Sequence, residues 1–283
     1  MQYRVEDKYI ITDDRIAYLK FQLDALMQKD PNMKGDSYLI RSIYFDDLYN
    51  SCMHENEDGV NLRSKYRIRS YDKDMSYIVL ERKSKNNGFT HKEQEEIDEA
   101  TVRKYMELGG GAERNPAAVL GILQDVSAKK QAPGQMASIA NAQTPEQLAV
   151  PTNTQEVKRD GQTAKDDKLT SNNSLITKLS TESELRLMSP VNIVEYERTA
   201  YIEPGGNVRI TFDRNIGYTT DISKFDSENL EAIPILPKGQ HILEVKYDEF
   251  LPIYIRRILN GMNLTRIPFS KYYYSRLAER EKF

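Results

Sequence analysis

Cysteine is almost missing from this chain of 283 residues, with Cys52 the only one. A disulfide framework and a thiolate zinc cluster are therefore excluded, and Cys52 lacks a catalytic setting and reads as inert. Histidine is scarce as well. His54, His91 and His241 are not spaced with other ligands as a metal site, so each reads as a surface or hydrogen-bonded structural side chain. No apolar run approaches the roughly 18 residues of a membrane span, and Met1-Gln2-Tyr3-Arg4-Val5-Glu6 lacks the apolar core of a secretion signal. A basic excess is lacking too. Lys and Arg total 40 against 43 Asp and Glu, a net charge of −3, whereas a general nucleic-acid binder carries a large positive surplus. These absences predict a soluble cytoplasmic protein that binds no nucleic acid. Any anion site must come from the local arrangement of charge.

Composition shifts sharply near Gly109-Gly110-Gly111. That triplet has no following Lys-Ser/Thr and reads as a hinge or turn, not a phosphate-binding loop. From about 124 to 174 the chain is rich in Ala, Gln, Asn, Thr, Ser and Lys and has no aromatic residue. Such a tract buries too little apolar surface to offset the entropy of ordering it. It is expected to be a flexible insertion, with a short helix around 145–149, interrupting a single domain that spans 1–283. The flanking parts differ. Strands are expected at about 3–11, 39–46, 61–72, 75–83, 89–98, 191–203, 206–214 and 240–247, and helices at about 13–28, 99–108, 116–123, 174–188, 252–260 and 270–282. Ile16, Leu19, Leu23 and Leu26 recur on one face of the first helix, which Thr12 or Asp13 can cap. Long strands joined by short turns, with helices at the edges, indicate an α+β protein built on an antiparallel sheet or barrel.

The placement of charge on those strands is the informative feature. Side chains at i, i+2 and i+4 of a strand share a face. Lys65, Arg67 and Arg69 therefore point one way while Tyr66 and Ile68 point the other. Glu6 with Lys8, Glu81 with Lys83 and Glu244 with Lys246 repeat a Glu-x-Lys pattern. Arg198 shares a face with Tyr196, and Arg209 shares one with Thr211 and Asp213. Ile78 and Leu80 flank one pair, Leu243 and Val245 another, so the opposite faces are expected to pack on hydrophobic layers. Any one of these strands reads as an ordinary two-faced strand with solvated charges. Taken together they do not, because a same-sign row repels itself unless an anion or carboxylates compensate it. Rolled with charged faces inward, the strands give a wet tunnel, since dry burial of unpaired cations is costly. A polyanion with metal ions relieves both problems: cations grip phosphate oxygens, and spare carboxylates hold Mg²⁺ or Mn²⁺.

At these residues the chain resembles a VTC domain, the polyphosphate polymerase branch of the CYTH-like triphosphate tunnel superfamily. The matching segments are Glu6-Asp7-Lys8-Tyr9, Arg41-Ser42-Ile43-Tyr44-Phe45-Asp46, Lys65 to Arg69, Glu81-Arg82-Lys83 and Glu195 to Tyr201. They continue with Arg209 to Asp213, Glu244-Val245-Lys246 and Phe269-Ser270-Lys271-Tyr272. The ordered series is specific where a single Glu-x-Lys is not, and it covers almost all of both halves outside the insertion.

The resemblance implies an antiparallel barrel whose tunnel binds ATP phosphates and the growing chain. It implies that Lys8, Arg67, Arg69, Lys83, Arg198, Arg209 and Lys271 bind phosphate, with Lys65 in the same row and Lys92 matching the basic residue after the second hairpin. Arg67, Arg69, Lys83 and Lys271 are the implied catalytic group. Tyr196 matches a tunnel-facing tyrosine and Glu244 a metal-binding glutamate for Mn²⁺ or Mg²⁺, with Glu6, Glu81 and Asp213 as auxiliary acids. The implied activity is transfer of the γ-phosphoryl group of ATP to polyphosphate. The same tunnel also suits a metal-dependent triphosphatase or a non-catalytic polyphosphate-binding module. No phosphoinositide-type accessory domain or membrane segment accompanies these motifs, so a stand-alone bacterial-type module is expected. Such a module could work with a separate membrane protein at the inner face of the membrane. The insertion is placed to cover one tunnel mouth, and Tyr272-Tyr273-Tyr274 is expected to pack against the barrel wall.

Overall fold

The computed structural model describes residues 4–87, 89–109 and 174–281. The helix expected at 116–123 and the insertion up to residue 173 lie outside the described residues. Ten strands form one sheet in the order β1-β10-β8-β7-β3-β4-β5-β6, with β2 paired to β7 and β9 to β8. They are β1 (Val5–Thr12), β2 (Gln28–Lys29), β3 (Tyr38–Asp46), β4 (Arg63–Tyr71), β5 (Asp74–Asn86), β6 (Phe89–Ile97), β7 (Ser189–Glu203), β8 (Val208–Thr219), β9 (Ile233–Pro234) and β10 (Gln240–Tyr247). Every pairing is antiparallel.

Alternation along the strands sends apolar residues outward to two layers. On one side, α1 (Asp13–Leu26) and α5 (Ile253–Gly261) cover β1, β8 and β10, with Leu19, Leu23 and Ile255 against Ile210, Phe212, Leu243 and Val245. The other layer joins α2 (Ser51–Glu57), α3 (Glu99–Gly109), α4 (Leu175–Arg186) and α6 (Lys271–Arg280) to β3, β4, β5 and β7. There Ile43, Ile68, Leu80, Tyr105, Leu179 and Tyr272 are buried together. Leu26 departs from the expected apolar face: it ends α1 and is exposed, while Ile16, Leu19 and Leu23 are buried. Thr12 occupies the N-cap, but its hydroxyl donates to Asp14 and not to the helix backbone.

The expectation of a closed barrel is corrected. The hydrogen-bonded path ends at β1 and β6, and those two edges do not pair. The free edge of β1 is already occupied: Tyr9 bridges Arg266, and the Ile267 N–H donates to the Lys8 carbonyl at 2.8 Å. Strand twist nevertheless rolls the sheet until its ends face each other. Glu6 on β1 lies 3.5 Å from Lys83 on β5, although the order of strands puts them near opposite ends of the sheet.

Candidate functional site

The rolled sheet gathers its charged faces on the concave side. On β4, Lys65, Arg67 and Arg69 alternate with fully buried Tyr66 and Ile68 of the outer layer. Cross-strand register then fixes their neighbours. Arg67 sits opposite Glu81 and Lys65 opposite Lys83, while Lys83 sits opposite Lys92 on β6. On the other flank, Lys8 is opposite Glu244, Glu6 opposite Lys246, and Arg198 opposite Asp213.

These pairs form two anchored groups. In the first, Glu81 accepts from Arg67, lies 2.8 Å from Lys92 and 3.9 Å from Arg69. Arg69 also donates to Ser42 at 3.2 Å and to the Tyr196 hydroxyl at 3.4 Å. In the second, Asp213 is fully buried and accepts from Arg198 through both oxygens, at 2.6 and 2.8 Å. Lys271 joins Asp213 at 2.5 Å and lies 4.5 Å from the centre of the Tyr196 ring. Ser270 caps α6 by accepting from the Tyr273 N–H, which fixes the neighbouring Lys271 at the helix start. Lys246 lies 2.8 Å from Glu244, and Lys8 lies 2.9 Å from Glu6 and donates to the Phe269 carbonyl.

Electrostatics hold the acids of the site in their charged form and divide its bases. Burial pushes the Glu81 carboxyl up, but Arg67, Arg69 and Lys92 outweigh it and hold the group well below the usual carboxylate range. Glu244 is likewise held low against its burial, by Lys246, Lys8, Arg198 and Lys271. Burial and Glu244 raise Glu6, yet Lys8, Lys246 and Lys83 bring it down to about 2. Tyr196 is lowered too, because Arg198, Arg69 and Lys271 overcome its burial. Two lysines are lowered as well, which in a base disfavours the charged form, while Lys8, against its burial, is raised by Glu244 and Glu6. Burial, together with Arg63 and Lys83, lowers Lys65 to about 8. Lys83 is lowered too, first by partial desolvation of its ammonium end and then by Lys246 and Lys8, despite Glu6. Three lysines thus stand in register across β4, β5 and β6, with Glu6 3.5 Å from Lys83, Glu81 2.8 Å from Lys92 and Asn56 accepting from Lys65.

All the sequence-predicted residues lie on this face. Lys8, Lys65, Arg67, Arg69, Lys83, Lys92, Tyr196, Arg198, Arg209, Lys271, Glu6, Glu81, Asp213 and Glu244 are brought together by register or direct contact. Arg209 stands furthest out, donating to Asp30 at 2.8 Å and to the Tyr38 hydroxyl at 3.1 Å. The picture of spare carboxylates changes. Glu81 and Asp213 are spent on cations, and no group of three or more His, Cys, Asp or Glu among the described residues is arranged to hold a metal ion. Lys246 was visible in the third Glu-x-Lys pair but was not counted as a site residue. Asp30 and Tyr38 carry no local signal and reach Arg209 only through tertiary packing. Outside the site, Cys52 is buried, with its thiol pushed up by burial, and His241 bonds Asp13 at 2.8 Å. Tyr272 packs in the outer layer and its hydroxyl donates to Asp46, while Tyr274 stacks on Phe269.

The family model for the VTC domain matches residues 3–278. The chain belongs to the VTC domain family. Its α+β tunnel-type fold and basic concave face are those of a phosphate-handling protein. Among solved structures, this VTC domain is similar to a provisionally assigned adenylate cyclase from Bacillus halodurans. Identity is 11% over 95% of this chain and 94% of that one, at a TM-score of 0.43. A protein from Pyrococcus horikoshii is similar at 9% identity over 92% and 87% of the two chains, at a TM-score of 0.36. No curated relative matches the chain. No helix among the described residues of the VTC domain is long and apolar enough to cross a membrane.

Proposed function

We propose that this protein is a polyphosphate polymerase that transfers the γ-phosphoryl group of ATP to the end of a phosphate chain. The observation that carries the reading is the crowding of cations on one face: Lys65, Lys83 and Lys92 stand in register, while the carboxylates nearest them, Glu6 and Glu81, are shared with Lys8, Arg67 and Arg69. An anion with charge on every unit compensates such a row; a lone carboxylate ligand does not.

In the proposed reaction a terminal oxygen of the phosphate chain attacks the γ-phosphorus. The bond from that phosphorus to the β–γ bridging oxygen breaks, and ADP leaves with the electron pair. Catalysis of this kind rests on alignment and charge neutralisation more than on covalent help. Arg67 and Arg69 bind the transferred group, with Glu81 and Ser42 holding their guanidinium planes. Arg198, locked by its two bonds to Asp213, and Lys271 bind from the opposite flank. Glu244, with Glu6 beside it, would hold Mn²⁺ or Mg²⁺, because such ions need only one or two carboxylates when phosphates complete their shell. When bound, that ion supplies neutralisation of phosphate charge.

Incubation of the purified chain with ATP and Mn²⁺ or Mg²⁺, with products resolved on a gel, tests the reading. Long-chain polyphosphate with matching ADP is expected. Free phosphate as the only product would contradict the polymerase and assign a triphosphatase.

A further inference from the structure

The cationic face does not stop at the lysine row. Strand alternation puts Arg63 on the face of Lys65 and Lys85 on the face of Lys83, and the two are direct cross-strand partners. Arg63 donates to the carbonyls of Glu55 and Val60, at 3.2 and 3.1 Å. Those neutral acceptors hold the guanidinium in place without cancelling its charge. Lys85 faces Arg63 on one side and Thr90 on the other, so neither cross-strand neighbour supplies a carboxylate. Lys83, 56% exposed at its side chain, marks where the row meets solvent. Two rungs of cations therefore follow one another along β4 and β5, roughly 7 Å apart. Like charges placed opposite each other weaken a sheet, and here the pattern repeats in the outward direction.

We infer that Arg63 and Lys85 form an outer subsite for inorganic polyphosphate, holding the chain where it leaves the cavity. The inference rests on the reading of the cavity as a phosphate-chain site. Tripolyphosphate is short enough to be satisfied inside by the arginines and Lys65, whereas a long chain continues to the outer rung. The subsite thus separates long chains from short ones by affinity. It also raises the retention of a growing product, since a chain gripped outside the cavity dissociates less readily between additions.

Calorimetric titration of the native chain, of R63Q/K85Q and of K85Q alone, with tripolyphosphate and with long-chain inorganic polyphosphate, tests this. The double variant is expected to lose about tenfold in long-chain affinity and to show a shallower salt dependence, with tripolyphosphate affinity within about twofold of native. K85Q, which leaves the Arg63 carbonyl bonds intact, is expected to show a smaller loss in the same direction. Equal long-chain affinity in native and variant chains, with tripolyphosphate binding preserved, would overturn the outer subsite alone. Failure of the native chain to bind tripolyphosphate would instead contradict the reading of the cavity. A single-stranded oligonucleotide that binds as tightly as long-chain polyphosphate, and loses affinity equally in the variants, would overturn the assignment of the rung to polyphosphate.

Discussion

At the scale of single residues, Lys65 is the most direct reporter of the site. Burial, Arg63 and Lys83 hold it at about 8, so its charged form is disfavoured until an anion arrives. Binding a phosphate chain must raise its pKa again, because the ligand favours the ammonium. Titration with tripolyphosphate between about pH 8 and 9 is therefore expected to take up protons, visible as a dependence of the apparent enthalpy on buffer ionisation heat. Lys65→Met should remove most of that uptake. Uptake that is absent in the native chain, or unchanged in the variant, would contradict the placement of Lys65 beside the ligand. In the free protein the sign follows from the same shift. A lysine with a lowered folded pKa costs stability while charged in the fold, so stability rises as pH climbs from about 8 towards the ordinary value of 10.5. The carboxylates behave oppositely. Glu6, with an ordinary value of 4.5 and a folded value of about 2, contributes stability that is present above about pH 4.5 and lost as pH falls towards 2. Acid titration of circular dichroism should show that loss, and Glu6→Gln should flatten it.

At the scale of elements, the strands were legible because their periods are strong, and the helices that position them were less so. The strands expected at 39–46 and 240–247 are observed at Tyr38–Asp46 and Gln240–Tyr247. Alternation alone placed Lys65, Arg67 and Arg69 on one face. The helix Ser51–Glu57 was not foreseen, since Ser-Cys-Met-His-Glu-Asn-Glu is short and mostly polar. Side chains just upstream hold it: the buried Asp46 carboxylate accepts from the Cys52 and Met53 N–H groups, and Asp47 accepts from Ser51. That helix in turn steadies the site, with Asn56 accepting from Lys65 at 2.8 Å. A cap from far along the chain starts α4. Glu95 on β6 accepts from the N–H groups of Leu175 and Ile176, at 2.6 and 3.3 Å, and from the Ser174 hydroxyl. Removing a helix cap costs about 1 kcal/mol, so Glu95→Ala should lower denaturant stability by about 1–2 kcal/mol. Native-like stability in that variant would show that the cap contributes nothing.

At the scale of the whole molecule, a net charge of −3 conceals a concentrated basic face. Bulk composition argues against a general nucleic-acid binder, and the cross-strand pairs show how cations are concentrated without a basic excess overall. Closure of the sheet was not legible, because it depends on which segment reaches the edge of β1. Arg266 and Ile267 take that edge, and the Glu6–Lys83 ion pair spans the gap to β5. A site with surplus internal cations should also be stabilised strongly by its ligand. At a concentration 100 times the dissociation constant, tripolyphosphate should add about 2.7 kcal/mol to unfolding stability. Chloride at equal ionic strength should add far less; an equal effect of the two anions would reduce the site to general charge screening.

On the proposed function, the arginine clamp and Glu244 together support phosphoryl transfer to a phosphate chain. The most direct measurement compares polyphosphate synthesis from ATP and Mn²⁺ by the native chain, Arg67→Ala and Glu244→Gln, with thermal unfolding recorded for each. The account predicts synthesis by the native chain and loss of at least about a hundredfold in each variant, with all three folded. Unchanged synthesis in both folded variants would contradict it.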